Sequence, residues 1–275
     1  MVYETERAVL EIFENSTKDI VNQEDFVEKR QKIKQLFYHR QYLDIFSDPE
    51  LVSVYAAEYP PSRALCYANL FLNDPQLSQI LLSSSDLLCL GAGAGSEMVA
   101  ISVAHSILKS EKHSQLRITC QDIADYTHIL NLFEEQLRVQ YPTCNVSFQH
   151  QVYDLLEPQY SDKLVSEIAQ SQLITAMFLL NELLASSKAG FVKLIGKIVE
   201  NMKQGSYFLV VDSAGSFSEL DVNGKSYKCF LLLDHVKAFE CVLSQDAQWY
   251  RFPEELRYPL KLNNMRYYLR LYRKI

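Results

Sequence analysis

Residues Gly91-Ala92-Gly93-Ala94-Gly95 break a short apolar run, Leu87-Leu88-Cys89-Leu90, and lead straight into a helical pattern carried by Met98, Val99, Ile101, Val103, Ile107 and Leu108. An apolar run of this length, bounded by Ser83-Ser84-Ser85-Asp86, predicts a strand buried on both faces of a parallel sheet. The alternating glycines let the backbone turn tightly and let a ligand lie directly against it. The helix start behind them presents unpaired N–H groups to a polar or anionic group. Strand, glycine turn and helix in this order imply a nucleoside cofactor at the first crossover of a doubly wound sheet.

The chain to the glycine turn reads as helical. The spacing predicts a short helix over 6–13, a longer one over 23–46, and others over 49–59, 63–73 and 76–82. Asp48-Pro49 and Asp74-Pro75 are start signals, and Pro60-Pro61-Ser62 separates two helices. From Asp86 onward strands alternate with helices. Strands are expected at 87–90, 116–120, 145–150, 173–178 and 206–211, with helices over 96–108, 126–140, 161–169, 187–202 and 227–243. Arg266-Tyr267-Tyr268-Leu269-Arg270-Leu271-Tyr272 alternates at period two, and a hairpin from near Trp249 makes it an antiparallel strand. The expected organisation is a helical extension over 1–82 and an α/β domain over 83–275. That domain holds a seven-stranded, mainly parallel sheet with a terminal antiparallel strand.

With 48% apolar residues in 275, a full core needs no staples. The six cysteines are scattered without any C-x-x-C, which points to reduced core residues inside a cell and to no metal site. No apolar stretch is long enough to span a bilayer, and the N-terminus lacks a signal-peptide core. The net charge of −7 argues against generic nucleic-acid affinity. The charge is uneven, however. Lys29, Arg30, Lys32, Lys34 and Arg40 form one basic stretch beside Phe37, Tyr38 and Tyr42. Arg251, Arg257, Lys261, Arg266, Arg270, Arg273 and Lys274 form another, interleaved with Trp249, Tyr250, Phe252 and four tyrosines. Base stacking and phosphate contact use this mixture; ordinary solvated faces with a packed aromatic side produce it too.

The turn is G-x-G-x-G rather than the G-x-G-x-x-G of dinucleotide binders, and the strand ends carry further information. The second strand ends in Gln121-Asp122, the third runs into Tyr153-Asp154, the fourth into Asn181-Glu182 and the fifth into Asp212-Ser213-Ala214-Gly215-Ser216. Polar residues at successive strand ends line the crevice where ligands bind. Together with the terminal antiparallel strand, this set resembles the class I S-adenosylmethionine-dependent methyltransferases. Leu90 departs from that pattern, since many members carry an acid there.

The resemblance narrows on an ordered set: Leu36-Phe37-Tyr38-His39-Arg40-Gln41-Tyr42, Tyr59-Pro60-Pro61-Ser62-Arg63, Asn181-Glu182-Leu183, Val211-Asp212-Ser213-Ala214-Gly215-Ser216-Phe217, Leu232-Leu233-Asp234-His235, and the tail from Trp249-Tyr250-Arg251-Phe252-Pro253 to Lys274. Over residues 33–275 the chain is similar to the fungal methyltransferase family that includes the 25S ribosomal RNA uridine-N3 methyltransferases. That resemblance implies methyl transfer from S-adenosylmethionine to N3 of a uridine in large-subunit RNA, free or in a pre-ribosomal particle. It also implies residence in the nucleus, nucleolus or cytoplasm.

Within this frame Gly91, Ala92, Gly93 and Gly95 are the expected cofactor loop. Asp122 is the candidate ribose ligand, with a helix cap as the other reading and Asp125 as competitor. Asp154 is placed near the adenine. Arg63 reaches the cofactor carboxylate or an RNA phosphate, or makes a surface ion pair. Glu182 is the candidate base and Asn181 a polar orienter on the cofactor side, unless the two merely cap and open a helix. Asp212 has equal standing, and His235 is a further catalytic candidate against a core role. The competing functions are methyl transfer to a protein or small molecule, and a non-catalytic ribosome-assembly factor on a cofactor-binding fold.

Overall fold

The computed structural model describes residues 2–39, 41–108, 115–143, 145–214, 219–222 and 225–275. Six helices come first: α1 (Val2–Val21), α2 (Phe26–Tyr38), α3 (Tyr42–Phe46), α4 (Pro49–Glu58), α5 (Pro60–Asn73) and α6 (Pro75–Ser83). Then follow β1 (Asp86–Leu90), α7 (Ser96–Leu108), β2 (Leu116–Asp122), α8 (Thr127–Gln140), β3 (Val146–Val152), α9 (Ser161–Gln170), β4 (Leu173–Met177), α10 (Leu180–Ser186), α11 (Lys188–Asn201) and β5 (Tyr207–Ser213). The chain closes with a small hairpin, β6 (Glu219–Val222) and β7 (Lys225–Lys228), then α12 (Cys229–Asp234), β8 (Phe239–Tyr250) and β9 (Met265–Lys274).

The main sheet has seven strands in the order β3-β2-β1-β4-β5-β9-β8. The first five are mutually parallel, and β9 runs antiparallel to both β5 and β8. The last strand of the chain therefore inserts between β5 and β8, and all five parallel strands end on one edge. Alternation decides what each face buries. Leu87, Cys89, Leu209, Val211, Tyr267 and Leu269 face a core shared with α1, α4, α5, α7 and α8. Leu88, Leu90, Phe208, Val210, Tyr268 and Tyr272 face the core under α9–α12.

The N-terminal helices cover the first face. Phe13 meets Phe133 edge-on at 4.9 Å, and Tyr250 donates to the Glu6 carboxylate at 2.6 Å. Asp48 and Asp74 cap α4 and α6 by accepting the N–H groups two and three residues on, with proline at the next position in each case. The prolines at 60 and 61 open α5 instead of preceding it, because N1 and N2 need no N–H partner.

Other expected boundaries change as well. The first helix extends to twenty residues, and the helix expected over 23–46 is broken into α2 and α3. The helix expected over 227–243 is only the six residues of α12, after which the chain enters β8. Apolar residues at 229–233 and 239–243 mimic a single helical stripe, but the second group pairs with β9 from Phe239. Arg40, Cys144, 215–217 and the Tyr42 side chain lie outside the described residues. Among those described, no helix is long and apolar enough to cross a membrane, and no group of three His, Cys, Asp or Glu is arranged to hold a metal.

Candidate active site

The glycine turn is built by the end of β2. Gly91 N–H donates to Gln121 Oε1 at 3.3 Å, Ala92 N–H to the Gln121 carbonyl at 2.9 Å, and Gly93 N–H to Asp122 Oδ2 at 2.9 Å. Gln121 is buried and its amide donates onward to the Tyr153 carbonyl, so one side chain ties the glycine turn to the segment after β3. All three glycines are left-handed, at φ of +59°, +55° and +85°. They differ in what surrounds them. A Cβ on Gly91 would lie 2.4 Å from Leu179, and one on Gly95 would lie 2.8 Å from Phe133. A Cβ on Gly93 would meet nothing within 4 Å. The turn is thus packed from below at its two ends and open above its middle, the shape of a cradle for a nucleoside.

Asp122 closes one side of this cradle. Burial pushes its carboxyl up, while the N–H groups of Ala124 and Gly93 pull it back. Asp154 sits half-buried one strand over, where its Oδ1 accepts from Leu156 N–H at 2.8 Å and shapes the turn.

The other side is built by β4, β5 and the N-terminal helices. β4 is followed by Phe178, a non-glycine residue at φ +57° whose N–H donates to the Val211 carbonyl at 2.7 Å. This conformation costs roughly 1–2 kcal/mol and turns the chain abruptly into α10. Asn181 N–H then donates to Asp212 Oδ2 at 3.1 Å. Burial pushes the Asp212 carboxyl up, and the Asn181 and Ser213 N–H groups and the nearby Asn181 amide oppose the shift; among the described residues the buried Asn181 Nδ2 makes no aligned hydrogen bond. Across from Asp212 on β9, Tyr268 is buried and, among the described residues, its hydroxyl has no hydrogen-bond partner. Two orphaned polar groups beside a buried carboxylate are costly in a finished core and are normal where a ligand completes the pairing.

Arg63, from the first turn of α5, lays its guanidinium over the Phe178 ring at 5.4 Å and donates to Tyr55 Oη at 3.4 Å. Its pKa is raised, first by Tyr55, then by Tyr67, Glu182 and Tyr126. The surface-ion-pair reading of Arg63 fails, since among the described residues no carboxylate pairs with it directly. Glu182 is exposed at the mouth, where partial enclosure pushes its carboxyl up and Arg63 draws it back down. Around them Tyr55 stacks on Tyr59 at 5.0 Å, with Phe37 and Phe46 packed edge-on and Tyr126 against Phe46.

Glu97 was not foreseen as a site residue. It lies in the first turn of α7, buried, and accepts from Thr175 Oγ1 of β4 at 2.5 Å. Burial pushes its carboxyl well above the usual range, and Arg63 opposes the shift. A charged residue inside an otherwise apolar helix was the available signal. His235 is a correction: it is exposed at the C-cap of α12, with its ring against the Leu231 carbonyl at 2.6 Å. Its neighbour Asp234 contacts Arg270 and Tyr272, which pair with Val210 and Phe208 below the strand ends, so the site does not include His235.

The first basic stretch is also corrected. Lys29 pairs with Asp25 and Glu50, Arg30 and Lys34 with Glu58, and Lys32 with Asp48. Phe37 is packed among rings, and Tyr38 stands out into solvent.

The chain is 28% identical to the 25S rRNA (uridine(2843)-N(3))-methyltransferase of Saccharomyces cerevisiae, over 90% of this chain and 78% of that protein. Among solved structures it is similar to a S-adenosylmethionine-dependent methyltransferase of Methanosarcina mazei, at 13% identity and a TM-score of 0.46, covering 74% of this chain and 98% of the other. It is also similar to the N-methyltransferase NodS of Bradyrhizobium japonicum in complex with S-adenosyl-l-homocysteine, at 14% identity and a TM-score of 0.40, covering 81% of this chain and 96% of the other. A family model described as "Putative SAM-dependent methyltransferase" matches residues 13–273. The chain belongs to that family of S-adenosylmethionine-dependent methyltransferases.

Proposed function

We propose that the protein methylates N3 of a uridine in large-subunit ribosomal RNA. The observation that carries this reading is the group at the ends of β4 and β5: Glu182 at the mouth, Arg63 behind it, and beside Asp212 the buried Asn181 amide, whose Nδ2 has no aligned acceptor among the described residues. Uridine N3 is an imide nitrogen flanked by two carbonyls. It must lose a proton before it can attack, and the resulting negative charge spreads onto both oxygens. A carboxylate with a raised pKa is suited to take that proton, and a donor such as Asn181 Nδ2 is suited to hold a carbonyl oxygen. The name of the yeast relative points to the same acceptor.

The cofactor residues follow from the cradle. Gly91, Ala92, Gly93 and Gly95 would lie along the nucleoside, Asp122 would hold the ribose hydroxyls, and Asp154 would lie toward the base. Asn181 and Arg63 border the amino-acid end, where the Arg63 guanidinium suits a carboxylate. Bound there, S-adenosylmethionine supplies a methyl already activated by its sulfonium, so the protein's contribution is alignment and removal of the N3 proton. N3 lies on the pairing edge of the base, so the acceptor must be unpaired or flipped. The partner is ribosomal RNA or a pre-ribosomal particle inside the cell.

The test is nucleoside mass spectrometry of ribosomal RNA from cells with and without the protein. A 3-methyluridine signal lost on deletion and restored by the wild type supports the reading. Unchanged 3-methyluridine removes it, and would turn attention to a protein or small-molecule acceptor.

A further inference from the structure

We propose that Trp249, Arg251 and Arg266 form the landing surface for the unpaired RNA strand next to the acceptor base. The inference rests on the reading that the acceptor is a uridine in RNA. Trp249 ends β8 and pairs in register with Arg266 of β9, while the next β9 residue, Tyr267, pairs with Ser213 at the end of β5. The Arg266 carbonyl accepts Ala214 N–H, one residue past β5. These residues therefore stand on the edge of the sheet where the parallel strands end and where Asp212 and Asn181 lie.

Alternation also fixes the face. Tyr250, Met265 and Tyr267 turn toward the N-terminal helices, so Trp249 and Arg266 share the opposite face with Asp212 and Tyr268. Trp249 is 54% exposed, and the Arg251 guanidinium covers its ring at 5.4 Å. An exposed indole beside two cations is the combination that holds a base by stacking and its phosphates by charge.

Charge distribution separates this surface from the rest of the basic residues. The 29–34 cations are neutralised by Asp25, Asp48, Glu50 and Glu58. Lower on the same strands, Arg270 is held by Asp234 and Asp246, and Arg273 by Glu240. Among the described residues Arg251, Lys261 and Arg266 pair with no carboxylate, and Arg257 donates to main-chain carbonyls. Glu254 and Glu255 are the acids of the same loop and are exposed. In a chain of net charge −7, cations left free at the catalytic edge fit a polyanion there.

The experiment measures binding of a fluorescein-labelled single-stranded oligouridylate to the full chain over a range of salt, alongside methyl transfer to ribosomal RNA. Trp249→Ala should weaken binding at least about fivefold, with Trp249→Phe recovering most of it. Arg266→Gln should lower the salt slope by roughly 0.7, the value for one single-strand phosphate. Lys32→Gln, in the neutralised stretch, should change neither. Binding of S-adenosylhomocysteine by calorimetry should be unaffected in all three. Oligouridylate affinity and salt slope unchanged in Trp249→Ala and Arg266→Gln would overturn the proposal, even if the wild type methylates ribosomal RNA. Equal competition by polyglutamate at the same charge would also overturn it, in favour of an acidic protein partner. Absence of methyl transfer by the wild type would instead remove the uridine reading while leaving the binding result to stand on its own.

Discussion

Asp122 accepts the main-chain N–H of Gly93 through one carboxylate oxygen and that of Ala124 through the other, at 2.9 and 3.0 Å. The acid proposed to bind the ribose thus also sets the shape of the glycine turn. Asp122→Ala removes both effects. Hydrogen bonds to a charged acceptor are worth about 1.5–3 kcal/mol, so calorimetry should show S-adenosylhomocysteine binding roughly tenfold to a hundredfold weaker. Affinity within twofold of wild type would remove Asp122 from the cofactor site.

The glycines should separate into two behaviours. Gly95→Ala drives a methyl against Phe133 and Leu130 in addition to its left-handed backbone, and should lower stability by about 2–4 kcal/mol in urea titration. Gly93→Ala meets no atom and should cost only the backbone strain of about 1–2 kcal/mol. A bulkier residue there, such as Gly93→Leu, should leave a folded protein that no longer binds S-adenosylhomocysteine.

Arg63 lowers the pKa of Glu182 against the upward push of enclosure. If Glu182 takes the N3 proton, activity rises with pH as its carboxylate forms. Arg63→Met should then move the acid limb of the kcat profile to higher pH. Glu182→Ala should abolish that limb and lower single-turnover rates by about 100-fold or more, with cofactor affinity retained. A limb that stays in place in Arg63→Met would separate the two residues.

Glu97 binds its proton more tightly in the folded protein than in the unfolded chain, because burial disfavours the charged form. Its contribution to stability is complete below the unfolded value of 4.5 and is lost as pH rises toward the folded one. The amide introduced by Glu97→Gln cannot ionise and keeps an acceptor for Thr175. Between about pH 5 and pH 8 the Tm of Glu97→Gln should therefore fall less than that of the wild type. Parallel Tm curves would show that Glu97 keeps its ordinary pKa.

The parallel strands and the glycine turn were legible because their signals are local: apolar runs, glycine spacing, and polar residues at strand ends. The helix expected over 227–243 failed for the same reason. An apolar stripe broken at Asp234-His235 looks continuous in sequence, and only pairing of Phe239–Tyr250 with β9 makes its second half a strand. His235 left the candidate site with it.

Local pattern alone was enough for the parallel strands, the glycine turn and the placing of Asp122, Asn181 and Glu182 at or just past the strand ends. Periodicity and turn chemistry act over a few residues, so they can be read along the chain. Packing in three dimensions set which charges meet. It set Arg63 against Phe178 and Tyr55, joined Glu97 to Thr175, neutralised the 29–34 cations with the cap residues Asp25 and Asp48 and with Glu50 and Glu58 of α4, and, among the described residues, left Arg251 and Arg266 without a carboxylate partner at the edge where the parallel strands end. Electrostatic partners are chosen by the packing of segments far apart in the chain, and no local pattern records that choice.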